Sequence, residues 1–473
     1  MKKSLLFYMT GLALVMSCNT NTSSQLEQAP APAPLSSIHR TASCVYLTSD
    51  EKNNPLISWC EMDSATKRKY FFVSFFDNKK NEFINKISVP IEQNVSIHEE
   101  GMPKVAIKND GTIVIVYEVS TPTKENEWAG AIHYIQSSDK GKTWTQPLCV
   151  HADSSSNGSR SFASVTRLSN GEIGVCWLDN QKDHKKDGRP LKFAATLTNK
   201  GFQPEILIDS FACECCRTAI SSDDKGSISI LFRDILPDSE RDISFSRSAD
   251  NGKTFSPATP FSNDKWVING CPHNGPSVVN KSNISYATWF TGGHQKGVYY
   301  GELKNGAMVL KKLISNDGKF IQLCLMPDGK RMIAYNENVQ LADSFYSKIV
   351  VVKFDGNHFY KTGITSDKSH AGYPVICALD NKRVMVAWTE NDRVYYQIVD
   401  VSKITNLVKD NYANNNKTKS LPVIQLTNKK DPVCGMHVDS NVEDTIHFNG
   451  KIIGFCSKHC KDKFLSAPAT LFK

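Results

Sequence analysis

The sequence predicts an all-β fold, a β-propeller of six or seven blades over residues 37–403, followed by a small α+β module at 429–473. Three observations predict it. Apolar and polar residues alternate in short runs with no helical periodicity, and Gly, Asn or Asp turns separate the runs. The runs recur as a loose unit that starts near residues 39, 98, 160, 213, 271, 318 and 369, spacings of 47 to 62 residues. A unit of that length holding about four strands is the signature of a propeller blade, and the count of starts favours seven.

Each unit opens with a small-residue strand and a turn, then an apolar strand that ends in an aromatic and an acid. Gly101-Met102-Pro103 leads past Gly111 to Val116-Tyr117-Glu118, and Ser161 leads through Gly171 to Cys176-Trp177-Leu178-Asp179. Pro276 leads to Trp289, and Pro374 leads to Ala387-Trp388-Thr389-Glu390.

Ahead of the repeats, Lys2 and Lys3 precede an apolar run from Leu5 to Met16, too short to span a bilayer as a helix. The run ends in Leu-Val-Met-Ser-Cys at Cys18 and resembles a bacterial lipoprotein signal. That resemblance implies cleavage of residues 1–17 and lipid attachment at the Cys18 sulfur; the alternative is an ordinary signal peptide. Residues 18–36, rich in Asn, Ser, Pro and Ala, suit a flexible tether. The expected location is the cell envelope, lipid-anchored and exported, at the outer membrane facing periplasm or surface.

Composition excludes one class and constrains another. The net charge of +8 is spread over 473 residues without a long basic run, so no nucleic-acid partner is expected. Fourteen cysteines are many for an exported chain, because thiols outside the cytoplasm end as disulfides unless metal or burial protects them.

Two stretches narrow the propeller type. Ser137-Ser138-Asp139-Lys140-Gly141-Lys142-Thr143-Trp144 matches the Asp-box pattern S-x-D-x-G-x-T-W, and Ser248 to Phe255 matches it with Phe in place of Trp. In such a box Asp and Gly close a tight hairpin turn while the aromatic packs between strands. The chain thus resembles sialidase-like, BNR-repeat propellers, which have six blades. Asp boxes argue for a fold and not for an activity.

The unit starts carry the chemistry, because the first strand of each blade lines the propeller axis. They bring together His39 and Arg40, His98 with Glu99 and Glu100, and Arg160. Cys213, Cys215, Cys216 and Arg217 follow, then Cys271 and His273, and finally His370 and Tyr373. Thiolates and imidazoles are the ligands of copper(I) and zinc. On a regular strand Cys213 and Cys215 point one way and Cys216 the other, so sharing an ion requires a kink or help from Cys271 and His273. The alternative is a Cys213–Cys271 or Cys215–Cys216 disulfide. Cys44 and Cys60 flank one expected hairpin and are placed to pair, whereas Cys149, Cys176, Cys324 and Cys377 are expected as core thiols.

The sialidase resemblance implies a second reading, an exo-α-sialidase-type glycoside hydrolase acting on surface glycans. That family uses three arginines, a Tyr nucleophile with a Glu partner, and an Asp acid/base. Tyr373, Arg40, Arg217 and Asp63 match those roles in part. Arg40 lies in His-Arg-Thr-Ala rather than Arg-Ile-Pro, and Cys-Pro-His-Asn-Gly-Pro stands where a third arginine belongs.

Residues 404–428, with Asn411 and Asn414 to Asn416, form a linker. The tail then opens with Asp431-Pro432-Val433-Cys434-Gly435-Met436 and continues to Phe455-Cys456-Ser457-Lys458-His459-Cys460, Phe464 and Pro468. It is similar to the YHS family of small metal-binding modules. The pair Cys456 and Cys460 places two sulfurs one helical turn apart. Cys434 completes a three-thiolate site for copper or zinc, with His437 or His459 as a fourth ligand, and the alternative is a purely structural zinc. The leading expectation is therefore an envelope lipoprotein that binds thiophilic metal at both places. Its partners would be the membrane through the lipid anchor, and a metal-transfer protein or glycans.

Overall fold

The computed structural model describes residues 32–408 and 426–466, apart from 154, 182–187, 199–200, 269, 342–343, 357, 436–437, 439–443, 449–450 and 456–457. The Leu5–Met16 run, Cys18 and the Asn-rich centre of the linker lie outside these residues.

The chain is nearly all β, arranged as a seven-bladed propeller. The innermost strands are Thr41–Ser49, Lys104–Ile107, Ser161–Arg167, Ala219–Ser222, Ser277–Lys281, Gly318–Leu325 and Ala371–Ala378. Each begins an antiparallel four-stranded sheet. The unit that starts near 318 is the widest blade: Asn406–Leu407, in the expected linker, adds a fifth strand to it. The innermost strands of consecutive blades adjoin one another, and that of blade 7 adjoins that of blade 1.

Ring closure uses both ends of the propeller. Ala33–Pro34 pairs with Arg393–Asp400 as the outer strand of blade 7, and Ser36 Oγ accepts from the Val394 amide at 3.0 Å. The last residues of the expected tether are thus part of the fold, and they tie the start of the propeller to its last blade.

The recurring aromatic and acid have a packing explanation. The second strand of each blade carries a fully buried ring: Trp59, Tyr117, Trp177, Phe232, Trp289, Tyr335 and Trp388. In three blades the acid two residues on accepts the ring's polar hydrogen, from Trp59 to Glu61 at 2.9 Å, Tyr335 to Glu337 at 2.9 Å and Trp388 to Glu390 at 3.2 Å. A buried aromatic with a polar handle is generally buried together with a partner for that handle; Trp177, whose Nε1 is buried without a hydrogen-bond partner, departs from the pattern. The apolar core is divided into layers, one between each pair of neighbouring blades around the whole ring. Because apolar burial lies between blades, the axis is left to polar groups. It holds a cavity of about 160 Å3 lined by every innermost strand, with Lys104, Ser164, Arg217 and Gln322 among the lining residues.

Both Asp boxes form as expected, on the hairpins after Gly130–Ser137 and Ile243–Ser248. Asp139 accepts from Ser137 Oγ, the amides of Lys142 and Thr143, and Thr143 Oγ1, at 2.7 to 3.0 Å. Asp250 repeats the pattern with Ser248, Lys253 and Thr254 at 2.5 to 3.0 Å. These bonds, led by the threonine hydroxyl, pull both carboxyls down to about 2. A carboxyl whose folded pKa is depressed stabilises the fold above its unfolded value, near 3.9, and loses that contribution as pH falls through 2. The stability difference between the native chain and Asp139→Asn/Asp250→Asn, measured by denaturant titration, is therefore expected to be full at pH 5 and to shrink toward pH 2. A difference constant with pH would contradict this.

The tail forms a hairpin, Asp444–Phe448 with Lys451–Phe455, and the helix Lys458–Ser466. Ile453, Phe455, Cys460 and Phe464 make its small core. Among the described residues no helix is long and apolar enough to cross a membrane.

Candidate metal centre on the propeller axis

Two loops build the centre. One joins the outer strand of blade 3, Ile206–Ala212, to the inner strand of blade 4; the other joins Thr259–Pro260 of blade 4 to the inner strand of blade 5. Both run from the rim toward the axis. Alternation on a strand would separate Cys216 from its neighbours, but Cys213 to Cys216 form a turn, which supplies the required kink. The three sulfurs lie within 4.8 Å of one another and all three residues are buried. Cys213 Sγ is 3.9 Å from Cys215 Sγ. From the second loop, Cys271 and His273 join Cys215 to make a second set with the same span.

No disulfide forms among the described cysteines, all twelve of which are free thiols. The proposed Cys213–Cys271 and Cys215–Cys216 links are absent, as is Cys44–Cys60, whose two thiols pack in one apolar layer. The 3.9 Å between Cys213 and Cys215 is nearly twice a bonded S–S length of about 2.05 Å. Cys176 and Cys324 are core thiols as expected, but Cys377 is only partly buried and Cys149, on a short outer strand, is exposed.

The charge of the cluster is uneven. Cys213 is drawn well below the usual thiol range, first by hydrogen bonds from Cys215 and Cys216 and then by the Arg241 and Arg233 guanidiniums. Arg241 Nη1 donates to Cys213 Sγ at 3.5 Å. Cys271 is pulled down to about 7, by Cys215 first and His273 next. Burial pushes Cys216 up to about 12 and also raises Cys215 well above its ordinary value. Burial opposes a charge on His273 most strongly, yet the Cys271 thiolate outweighs it and the imidazole sits above its ordinary value. Its Nδ1 is buried without a hydrogen-bond partner, and its ring centroid is 5.3 Å from that of His98.

Glu100 holds the loops together. Reaching in from the connection that leads to blade 2, it accepts from Arg217 Nη1 at 2.5 Å and from the Gly275 amide at 2.9 Å. Arg217 Nη2 donates in turn to the carbonyls of Gly275 and Pro276, at 3.0 and 3.2 Å. Gly275 is required by this approach, since a Cβ there would lie 2.2 Å from the Arg217 carbonyl oxygen.

Backbone strain recurs around the axis. The innermost strands of blades 1, 3, 6 and 7 each carry a register shift around a non-glycine residue with positive φ: Cys44, Phe162, Phe320 and Tyr373, at 51° to 57°. His273 has φ 44° just before the inner strand of blade 5. Such bulges turn side chains out of the pleat, and strain of this kind gathers at functional sites. The amides they free are used: Cys44 donates to Glu99 at 2.9 Å, Phe162 to Glu118 at 2.5 Å and Phe320 to the Asn274 side chain at 3.2 Å.

The other expected residues fall in different places. Arg160 braces blade 3 through Asp179 and Asp153, both at 2.9 Å. His370 stacks near Tyr346 with centroids 5.3 Å apart. Arg40 pairs with Glu61 at 3.3 Å, lies over the Tyr70 ring at 4.0 Å, and with His39 lines a separate surface cavity of about 270 Å3. Arg217 lines the axial cavity, so the two arginines do not share a pocket. Asp63 is partly exposed and caps a turn, accepting from the Ala65 and Thr66 amides at 3.1 and 2.8 Å; the Thr66 bonds hold it below the usual carboxylate range. Tyr373 packs on Phe320 with centroids 4.1 Å apart.

In the tail, Asp431, Cys434 and Cys460 have donor atoms within 4.8 Å of one another. Asp431, not anticipated from the sequence as a ligand, is buried, and its Oδ1 accepts from the Val433 and Cys434 amides at 2.8 and 3.3 Å. Its signal was the Asp-Pro-Val-Cys turn itself. Cys456, His437 and the His459 side chain lie outside the described residues. Arg233 and Arg241 were also missed. Arg233 follows the buried Phe232 at the place where other blades carry neutral or acidic residues, and Arg241 sits in a loop with no pattern.

Removing Glu100 would leave a buried guanidinium without its counter-charge. Glu100→Ala is expected to lower unfolding free energy by about 3–5 kcal/mol, and adding Arg217→Met should recover most of the loss. Equal destabilisation by Glu100→Ala and by the double variant, in denaturant titrations, would contradict the pairing.

Residues 429–470 match the YHS domain family. No curated protein matches the chain. Among solved structures it is similar to the Hadza microbial sialidase Hz136, at 14% identity over 72% of this chain and 74% of that one, with a TM-score of 0.43. It is similar to the NanB sialidase of Streptococcus pneumoniae at 9% identity over 80% and 71% of the two chains, TM-score 0.48. A protein of unknown function from Dyadobacter fermentans is similar at 15% identity over 66% and 97%, TM-score 0.45. Residues 72–386, about two thirds of the chain, match the BNR repeat-like domain family, and the chain belongs to that family.

Proposed function

We propose that this chain is an exported, lipid-anchored envelope protein that binds a thiophilic metal, copper(I) or zinc, on its propeller axis and in its tail. The observation that carries the reading is the gathering of four free thiols and one imidazole by two rim-to-axis loops. Exported thiols so close together would oxidise unless something held them apart. Metal coordination does so, and through His273 Nδ1 it would also satisfy a buried polar atom whose lack of a partner is otherwise costly. Arg241 and Arg233 supply the positive charge that an anionic thiolate cluster needs when buried.

The tail fits a metal on its donors. Cys434 and Cys460 are soft ligands, and Asp431 orders the turn that presents Cys434. A metal bound there would cross-link a module too small to be held by its own core. Two separate thiol sites on one tethered chain suit metal handling, with a metal-transfer protein as partner. A glycosidase reading is less favoured, because Arg217 is committed to Glu100 and Arg40 opens on another cavity.

Elemental analysis of anaerobically purified protein, beside Cys215→Ser and Cys434→Ser, tests the reading. The expected result is copper or zinc in the native chain and a separate partial loss in each variant. Less than one equivalent of metal in the native chain under reducing, copper-replete conditions would overturn it.

A further inference from the structure

The five donors on the axis do not form one set, and from this we infer that the site holds two ions bridged by the Cys215 sulfur. The inference rests on the metal-binding reading above and specifies its stoichiometry. Cys213, Cys215 and Cys216 form one three-donor set; Cys215, Cys271 and His273 form the other; Cys215 alone belongs to both. With metal–sulfur bonds of about 2.3 Å, two donors on one ion can be at most about 4.6 Å apart. The five donors do not all fall within one such span, whereas each set, within 4.8 Å, lies close to it. The Cys213–Cys215 separation of 3.9 Å agrees with an edge of about 4.0 Å for three sulfurs arranged trigonally around an ion at that bond length.

Charge supports the count. Four thiolates and a neutral imidazole carry −4, and two monovalent ions leave −2, which the Arg241 and Arg233 guanidiniums beside Cys213 balance. A single monovalent ion would leave −3 in a buried site, or would leave thiols protonated and unused. Coordination displaces the remaining thiol protons to solvent. The first loop supplies all of one set and Cys215 of the other, the second loop supplies Cys271 and His273, and Glu100 fixes their spacing through Arg217 and Gly275.

The test is anaerobic titration with copper(I) against a chromogenic chelator, on the full chain carrying Cys434→Ser and Cys460→Ser to silence the tail. Two equivalents bound, with a short metal–metal scattering path in X-ray absorption, is the expected result. Cys216→Ser and His273→Ala should each retain one equivalent, and Cys215→Ser should lose tight binding of both. One equivalent without a metal–metal path would overturn the bridged pair and leave the metal-binding reading standing. No copper at all would overturn both. The stoichiometry of the parent does not depend on whether any axial variant folds.

Discussion

The buried pairing of Glu100 with Arg217 is the constraint on which the centre depends. It joins the connection before blade 2 to the two thiol-bearing loops beside blades 4 and 5, and Glu100 also takes the Gly275 amide. A carboxylate and a guanidinium removed from water do not by themselves stabilise a fold. Here the pair is tied by further hydrogen bonds, to the Gly275 and Pro276 carbonyls, so its directional demands fix where the loops sit. The backbone contact it enforces is so close that only glycine fits at 275. Thiols that must converge from two loops thus inherit their geometry from a polar lock rather than from apolar packing.

That division of labour follows from the propeller. Its apolar layers lie between blades, each sealed by a buried ring on the second strand, so stability is distributed around the ring and the axis is free to be polar. The strained residues at the inner-strand bulges belong to the same economy. Their freed amides are taken up by Glu99, Glu118 and Asn274, which link one blade to the next.

Much of this was legible in the sequence. The seven unit starts fall within about six residues of the observed inner strands, because turn residues and strand alternation are local signals. The Asp boxes are legible for the same reason. The closing strand at Ala33–Pro34 was not, since a two-residue strand has no periodicity and its partner lies at the far end of the chain. The thiol cluster was legible as composition, Cys213 to Cys216 and Cys271 with His273, but its division into two sets was not. That division depends on the turn at 213–216 and on the left-handed backbone of His273, which no pattern announces. Arg233 and Arg241 act from a neighbouring strand and loop, and spatial proximity of that kind is invisible along the chain. Cys149 shows the opposite error: an apolar flank suggested a core thiol, whereas a short outer strand leaves it exposed.

The central claim is that Cys213, Cys215, Cys216 and Cys271 are held as a free-thiol cluster in the folded protein. The most direct measurement is to isolate the native chain anaerobically, denature it without reductant in the presence of an alkylating reagent and a metal chelator, and map the labelled cysteines by mass spectrometry. The account predicts alkylation at all four. A disulfide between any two of them in the bulk of the isolated protein would contradict it.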